Sequence, residues 1–236
     1  MTSPRPATAP DRAEAVGQFD RLLAERWSCR AFLPDAVPAA TIDRMLELAQ
    51  RTPSWCNTQP WHLYLLSGDA TRRLSDRLVT AAQTVRTVSD FPPPAEYRGV
   101  FQERRREAGY ALYESVGIDR ADRRGRAEQM LRNFQFFGAP HVVIITSDRD
   151  QGVYGAVDCG GYVANLVNAA TALGVATIAQ AAIAMHSDIV RQELAIPDDR
   201  QIVCAVSFGY ADLEHPINGF RTSRAALDAA VTRVVG

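Results

Sequence analysis

The sequence predicts a mixed α+β fold built as one large domain. Helical patterns come first along the chain, and strands then alternate with helices of unequal length, with no internal repeat and no regular βαβ period. No linker divides the 236 residues, which are enough for one substantial core. We expect a single domain over residues 13–236, after a mobile N-terminus over residues 1–12 that is rich in proline, alanine and threonine.

Apolar residues at helical spacing predict the helices. The second helix, for example, places Ile42, Met45 and Ala49 on one face, and the long sixth helix is poor in charge and ends at Gly174. Ser187 is expected to cap the seventh helix. The seven predicted helices cover residues 12–25, 39–51, 70–88, 102–117, 122–137, 155–173 and 188–195.

Short apolar runs predict four strands. The run at 141–147, HVVIITS, is rich in β-branched residues, which is typical of a buried strand. Three consecutive prolines exclude a regular helix from the segment 89–101. The tail, residues 222–236, is expected to form a short helix or an extended arm. The predicted strands cover residues 62–66, 141–147, 175–178 and 201–209.

The charge balance and the cysteines limit the classes of function. The net charge is −1, so no basic surplus indicates a nucleic-acid partner. No apolar run approaches the roughly 20 residues of a membrane span, and the first residues lack the apolar stretch of a secretory signal. The four cysteines are dispersed, which argues against a disulfide framework, and a cytoplasmic location is expected.

The absence of lysine removes several mechanisms. All 26 basic residues are arginine, which excludes a Schiff-base lysine and a Walker A lysine. The glycines at 152–161 do not form a GxGxxG fingerprint, and no GxSxG or HExxH motif is present, so no metal site is expected. The arginine clusters at 104–106 and 120–126 are interpreted as solvated helix faces.

Three separated stretches carry the strongest functional signal. They are RWSCRAF at 26–32, TPSWCNTQPW at 52–61, and FGYAD at 208–212 followed by FRTSR at 220–224. Each stretch is weak evidence alone, but in this order and spacing they resemble the FMN-dependent nitroreductase family. Residues 156–178 resemble that family's long central helix and the strand after it, and the whole resemblance covers residues 20–235.

The resemblance implies a mostly antiparallel central sheet flanked by helices, in an intertwined homodimer that shares its FMN sites between subunits. It implies that Ser54 and Asn57 act across the dimer interface, that Arg221 binds the phosphate, and that backbone amides near Gln180 face the flavin ring. The implied FMN contacts are Arg26, Trp27, Ser28, Arg30, Pro53, Ser54, Asn57, Gln59, Gln180, Ala181 and Arg221.

The chemistry of these residues agrees with that assignment. Arg26, Ser28 and Arg30 alternate along the chain, so on extended backbone they can face the same way and bind anionic oxygens. The alternative is that they are only surface charges at a helix end. In the second stretch, Trp61 is interpreted as a packing residue, and Gln59 could serve only to brace its loop.

The implied reaction is a ping-pong cycle in which NADPH or NADH gives hydride to FMN and a small aromatic acceptor, a nitroarene or a quinone, then takes its place. Because the flavin carries the reaction, no residue is assigned as a catalytic base or nucleophile. Two alternatives stay open. One is a flavoenzyme of the same fold that performs enone reduction, dehalogenation or a biosynthetic oxidation, and the other is a non-catalytic FMN-binding protein.

The segment 89–137 is expected to be a helical insertion that covers the site as a lid. It most resembles the branch of the family that reduces nitrobenzoate-like and nitrophenyl compounds. It concentrates aromatic residues, of which Phe134 and Phe137 are assigned tentatively to the acceptor. The alternative, favoured for each aromatic residue taken singly, is that these side chains form the core of two added helices.

Overall fold

The computed structural model describes residues 9–236, with side chains described from residue 12 onward. The helices are α1 (Ala9–Glu25), α2 (Ala39–Ala49), α3 (Asp69–Thr84), α4 (Gly99–Glu114), α5 (Arg123–Leu131), α6 (Gly152–Ala172) and α7 (Ser187–Leu194). The strands are β1 (Trp61–Ser67), β2 (His141–Asp148), β3 (Ala176–Gln180) and β4 (Arg200–Gly209). In this described part of the chain, no helix has the length and apolar character needed to cross a membrane.

The four strands form one antiparallel sheet with the order β1-β2-β4-β3. β2 lies inside the sheet, paired with β1 on one side and β4 on the other, and all of its residues except Asp148 are buried. A strand covered on both faces needs apolar, β-branched side chains at every position, which explains the run HVVIITS. The predicted α+β class and antiparallel sheet are confirmed.

Each predicted helix and strand is present, and the differences concern their ends. α1 begins at Ala9, so residues 9–12 of the segment expected to be mobile are helical, while residues 1–8 of that segment lie outside the described residues. α5 ends at Leu131, residues 132–135 form turns, and the helix does not reach residue 137, where Phe136 and Phe137 have φ values of 52° and 56°. A right-handed helix cannot continue through left-handed residues.

Two further expectations about local structure are resolved. Ser187 does not cap α7: it is the first helical residue, and its hydroxyl donates to the carbonyl of Ala184 at 2.8 Å, so that prediction was wrong. The tail beyond Arg221 has no regular secondary structure apart from one short 3-10 turn at Leu227–Ala229, so it does not form the short α-helix that was one of the two alternatives.

The core lies on both faces of the sheet. Val143 and Ile145 pack with α2 and α6 on one face, where Trp61 lies 5.0 Å from the ring of Tyr162 as the packing residue that was expected. The alternate residues of β2, including Ile144, pack with α3 and α7 on the other face. This alternation follows from the two-residue period of a strand.

The chain after α1 is held against the open end of the sheet. The Leu33 amide donates to the Tyr210 carbonyl at 2.8 Å, and the Asp212 amide donates to the Ala31 carbonyl at 3.0 Å. Residues 26–33 are therefore extended and lie between β3 and the chain that leaves β4. This pairing brings the first and third motifs of the sequence together.

Candidate functional site

A cleft at the C-terminal end of α1 collects the arginine residues of these two motifs. Its volume is about 370 Å³. Four of its ten lining residues carry a guanidinium group and none is acidic, so the cleft is positive and suited to a phosphate group. The lining residues are Leu23, Ala24, Arg26, Trp27, Ser28, Arg30, Phe220, Arg221, Thr222 and Arg224.

Arg26, Ser28 and Arg30 reach this cleft from alternate positions of one extended segment. Ser28 bridges to Thr177 at the edge of β3, where the Cys29 amide donates to the Thr177 carbonyl at 2.9 Å. Cys29 itself is fully buried, and burial raises the pKa of its thiol to about 11, so it stays protonated at neutral pH. The alternation thus places the polar side chains in the cleft and the thiol in the core.

Arg30 is a half-buried cation within the cleft. Its Nη1 donates to the Ser28 carbonyl at 3.1 Å, and its guanidinium carbon lies 5.9 Å from the centroid of the Phe220 ring. Burial lowers the pKa of Arg30, and the neighbouring Cys29 opposes this change weakly. Arginine is so strongly basic that the group remains charged at neutral pH.

Arg221 enters the cleft from the C-terminal segment. Its Nη1 donates to the carbonyls of Asn218 and Phe220, at 2.6 and 2.9 Å, and its guanidinium carbon lies 4.1 Å from the centroid of the Trp27 ring. Arg224 lines the same cleft. The backbone bonds and the ring hold Arg221 in place, while its remaining donors are available to a ligand.

Asn218 joins the two arginine-bearing segments, and it was not singled out from the sequence. Its side chain is 3% exposed. Oδ1 accepts from the Arg30 amide at 2.8 Å, and Nδ2 donates to the carbonyls of Ala31 and Asp212, both at 2.7 Å. Its own carbonyl accepts from Arg221. One asparagine therefore positions both sides of the cleft; the only sequence signal was its place three residues before Arg221.

Ser54, Asn57 and Gln59 lie in a separate loop, outside the arginine cleft of the same subunit. The Gln59 amide donates to Ser54 Oγ at 2.9 Å, and Gln59 Nε2 is 3.3 Å from Asn57 Oδ1. Asn57 and Gln59 have positive φ values of 55° and 47°. Gln59 thus braces the loop, the alternative noted from the sequence, while Asn57 and Pro53 are exposed.

The same loop is fixed on one side of α6. The Trp55 amide donates to Asp158 Oδ2 at 3.1 Å, and Asn165 Nδ2 donates to Thr52 Oγ1 at 2.8 Å. The rings of Trp55 and Tyr154 also meet edge to face, with centroids 4.5 Å apart. The loop and the exposed side of α6 therefore form one continuous surface.

Gln180 is the last residue of β3, Ala181 follows it, and the two differ in exposure. The Gln180 side chain is 3% exposed; its Nε2 donates to the Asn133 carbonyl at 2.8 Å and its Oε1 accepts from Ser207 Oγ at 2.5 Å. Both ends of the carboxamide are occupied inside the protein, so a cofactor contact at Gln180 is left to the backbone. Ala181 is exposed.

Phe134 and Phe137 do not face a cleft. Each is 3% exposed, and the Phe134 ring packs in the core with its centroid 5.3 Å from that of His186. The tentative acceptor role is therefore corrected to a packing role, the alternative that the sequence favoured for single aromatics. The exposed aromatic rings of the insertion are those of Phe101 and Tyr97, at 66% and 42% exposure.

The buried histidines serve the fold. His141 Nε2 accepts from the Val37 amide at 2.9 Å, and its Nδ1 lies 2.6 Å from Ser67 Oγ. Burial lowers the pKa of both His141 and His186. Over residues 9–236, no group of three or more histidine, cysteine, aspartate and glutamate side chains is arranged to hold a metal ion.

Comparisons with known proteins identify the family of the chain. The Nitroreductase family model matches residues 23–210. Nitroreductase NfnB of Mycolicibacterium smegmatis is 39% identical over 230 residues, covering 96% of this chain and 97% of the relative. A 4-nitrobenzoate reductase of Nocardioides is 37% identical over 237 residues, covering 98% and 96%.

Solved structures give the same result. The FMN-dependent nitroreductase NfnB from Mycobacterium smegmatis, solved in complex with NADPH, superposes with a TM-score of 0.89 at 37% identity, covering 94% of this chain and all of that one. An FMN- and NADPH-dependent NfnB from a Sphigopyxis strain superposes with a TM-score of 0.85 at 30% identity, covering 92% and 99%. By sequence motif, fold and site, the chain belongs to the nitroreductase family.

Proposed function

We propose that the protein is an FMN-dependent oxidoreductase that uses NAD(P)H to reduce nitroaromatic or quinone-like acceptors. The observation that carries the proposal is the arginine cleft, where two distant motifs bring four guanidinium groups and a serine hydroxyl together and no acidic residue lines the cleft. The names of the similar enzymes support the reaction class.

The side chains of the cleft fit an FMN phosphate. Arg26 and Arg221 approach from two segments, and each guanidinium can bond two phosphate oxygens. Ser28 adds a hydroxyl for the phosphate or the ribityl chain. Arg30, further along the same segment, supplies a fixed positive charge for an anionic edge of the ligand. When bound, FMN would supply the hydride chemistry that no side chain of this protein can perform.

We further propose a homodimer in which each FMN site is shared. On α6, Val153 and Val157 are 69% and 63% exposed, and no atom outside the helix lies within 4 Å of the place where a Cβ on Gly160 would be. An exposed apolar side of a central helix is typical of a protein interface. Ser54 and Asn57 lie beside this surface, so docking of a second copy there would bring them to the partner's cofactor.

The lid insertion (residues 89–137) also lacks a covering surface within one subunit. Its two helices, α4 and α5, contain no buried residue. Val100, Phe101 and Met130 are 46%, 66% and 53% exposed. Helices gain most of their stability from an apolar face that packs, so we propose that the lid insertion packs on the dimer and covers the acceptor there.

The relatives indicate which substrates to test first. One solved relative binds NADPH, and two similar enzymes carry the name 4-nitrobenzoate reductase. We therefore propose NADPH and a nitroaromatic acceptor as the first pair. The four cysteines are free thiols, which suits a reducing compartment, and we propose a cytoplasmic location for a single domain over residues 13–236.

Visible absorbance of the purified protein tests this function. We expect FMN to remain bound after desalting, NADPH to bleach the flavin band without oxygen, and 4-nitrobenzoate to restore it. Protein that retains no FMN would contradict the cofactor assignment. A flavin band that NADPH and NADH leave unchanged would contradict the reaction.

A further inference from the structure

Both ends of the lid insertion are attached to the body of the protein, one to the last residue of β3 and the other to the segment that follows β3. At the N-terminal end, Val88 exchanges two backbone hydrogen bonds, with the carbonyl of Met185 at 2.9 Å and the amide of Ser187 at 2.8 Å. At the C-terminal end, Nε2 of Gln180 donates to the Asn133 carbonyl at 2.8 Å. These two attachments therefore lie on β3 and on the segment directly after it.

The attachment at Gln180 is a buried side-chain bond. Gln180 is 3% exposed, and Ser207 on β4, which donates to its Oε1, is fully buried. A carboxamide in such a place cannot turn toward a ligand without leaving polar groups unpaired, which is costly in a dry interior. The Gln180 side chain therefore connects β3 to β4 and to the lid insertion.

The turn over residues 133–137, which Gln180 bonds at Asn133, depends on contacts with the rest of the protein. Asn133 is followed by Phe134, whose ring packs on His186, and then by two residues in left-handed conformation, Phe136 and Phe137. Left-handed backbone is unfavourable for phenylalanine and persists only where surrounding contacts hold it. The Gln180 bond is one of those contacts.

We propose that Gln180 is a positioning residue for the acceptor, because its carboxamide holds the C-terminal end of the lid insertion beside the segment expected to face the flavin. The inference rests on the proposed function, in which the lid insertion covers the acceptor. Gln180 then acts through the lid insertion and not by contact with FMN. Its loss changes acceptor binding more than flavin binding.

Gln180→Met tests the inference, since methionine keeps the length of the side chain but cannot donate to the Asn133 carbonyl. We expect FMN retention and the rate of bleaching by NADPH to stay within about twofold of wild type. The KM for 4-nitrobenzoate should rise by about fivefold or more, the effect of one hydrogen bond on an equilibrium constant. Trypsin should cut faster at the exposed arginines of α4, Arg104–Arg106.

Gln192→Met is the matched control, because the Gln192 side chain accepts from Arg77 on α3 and bonds neither the lid insertion nor the cleft. Gln180→Leu is the second variant: it fills a similar space but can neither accept from Ser207 nor donate to the Asn133 carbonyl, so it should raise the same KM. Wild-type KM and trypsin cleavage in both Gln180 variants would overturn the proposal. Loss of FMN from Gln180→Met with wild-type cleavage would overturn it too, since the side chain would then serve the cofactor.

The trypsin measurement needs no bound flavin. If the wild-type protein failed to retain FMN, the proposed function would fall, while the cleavage rates of the two Gln180 variants would still test the attachment. The two failures are therefore distinguishable.

Discussion

Asn218 shows how much of the site depends on a single uncharged residue. Asn218 carries no charge, yet its carboxamide forms hydrogen bonds with the backbone of Arg30, Ala31 and Asp212. If the side chain were removed, the Arg30 amide would lose its partner, while the carbonyls of Ala31 and Asp212 would keep their bonds from the Asp212 and His215 amides. A buried unpaired group costs about 1–3 kcal/mol.

Asn218→Ala should therefore weaken FMN binding by about tenfold or more and lower the free energy of unfolding by about 2–4 kcal/mol. Fluorescence titration with FMN and urea denaturation measure the two effects. Asn218→Asp keeps the acceptor for the Arg30 amide and loses the two donors, so its FMN affinity should be intermediate. An unchanged affinity in both variants would remove Asn218 from the positioning of the cleft.

His141 gives the stability a dependence on pH. Burial lowers its pKa in the folded protein, whereas the unfolded chain has the ordinary value of about 6.5. At a pH between the two pKa values, His141 is protonated in the unfolded chain and neutral in the folded protein. The free energy of unfolding therefore falls as the pH falls through this range. Protonation would also remove the acceptor that Nε2 offers to Val37.

The free energy of unfolding should accordingly decrease from about pH 7.5 to about pH 5.5. His141→Gln should show a smaller decrease over this range, although His186 keeps part of it because its pKa is also lowered by burial. Urea denaturation at several pH values measures the slope. His62→Ala, at an exposed position, is the control and should keep the wild-type slope. Equal slopes in wild type and His141→Gln would refute this account.

The residues of the cleft differ in how far the sequence could predict them. Arg26, Ser28 and Arg30 follow from alternation, because a two-residue period on extended backbone requires a common side. The positioning role of Asn218 could not be predicted. No sequence pattern distinguishes a buried, hydrogen-bonded asparagine in a polar loop from an ordinary turn residue. Gln180 was predicted as a cofactor contact, and only the structure places its side chain inside the protein.

Among the elements, the lid insertion depends on Asp90 for its first attachment. The carboxylate is 11% exposed. Its Oδ1 accepts from Arg149 at 3.0 Å, and its Oδ2 accepts from Arg191 at 2.7 Å and from the Ile202 amide at 2.8 Å. One carboxylate thus ties the start of the lid insertion to α7, to β4 and to the turn after β2.

Asp90→Ala should lower the free energy of unfolding by about 2–4 kcal/mol, because two arginines and a backbone amide lose a largely buried acceptor. Urea denaturation gives the value. Asp69→Ala is the matched control: Asp69 is 73% exposed and paired only with Arg72, so its loss should cost about 0–1 kcal/mol. Equal costs for the two variants would contradict the anchoring role of Asp90.

The elements themselves were predictable from periodicity, and their ends were not. The strand at 141–147 was predicted because a β-branched run suits a strand covered on both faces. The end of α5 was misplaced because nothing in the sequence NFQFF indicates left-handed phenylalanines. Ser187 was misassigned as a cap because serine is common there, whereas its hydroxyl here bonds back to the Ala184 carbonyl three residues earlier.

For the whole molecule, the dimer proposal places Val157 at an interface. Val157→Arg puts a charge on the exposed apolar side of α6, and an unpaired charge in an interface core is strongly unfavourable. We expect a monomer by sedimentation velocity and a loss of FMN, because the partner no longer supplies Ser54 and Asn57. Leu65→Arg, at an exposed position of β1, is the control and should remain dimeric. A flavin-saturated Val157→Arg monomer would contradict the shared site.

The central claim for the molecule is that the arginine cleft binds FMN, and FMN titration of Arg26→Ala tests it most directly. Loss of one charge-assisted phosphate contact should raise the Kd for FMN by about tenfold to a hundredfold, with little change in Tm. Arg44→Ala is the control, because Arg44 is an exposed arginine on α2 paired with Glu47, and it should keep the wild-type Kd. If Arg26→Ala bound FMN as tightly as wild type, the cleft would not be the phosphate site.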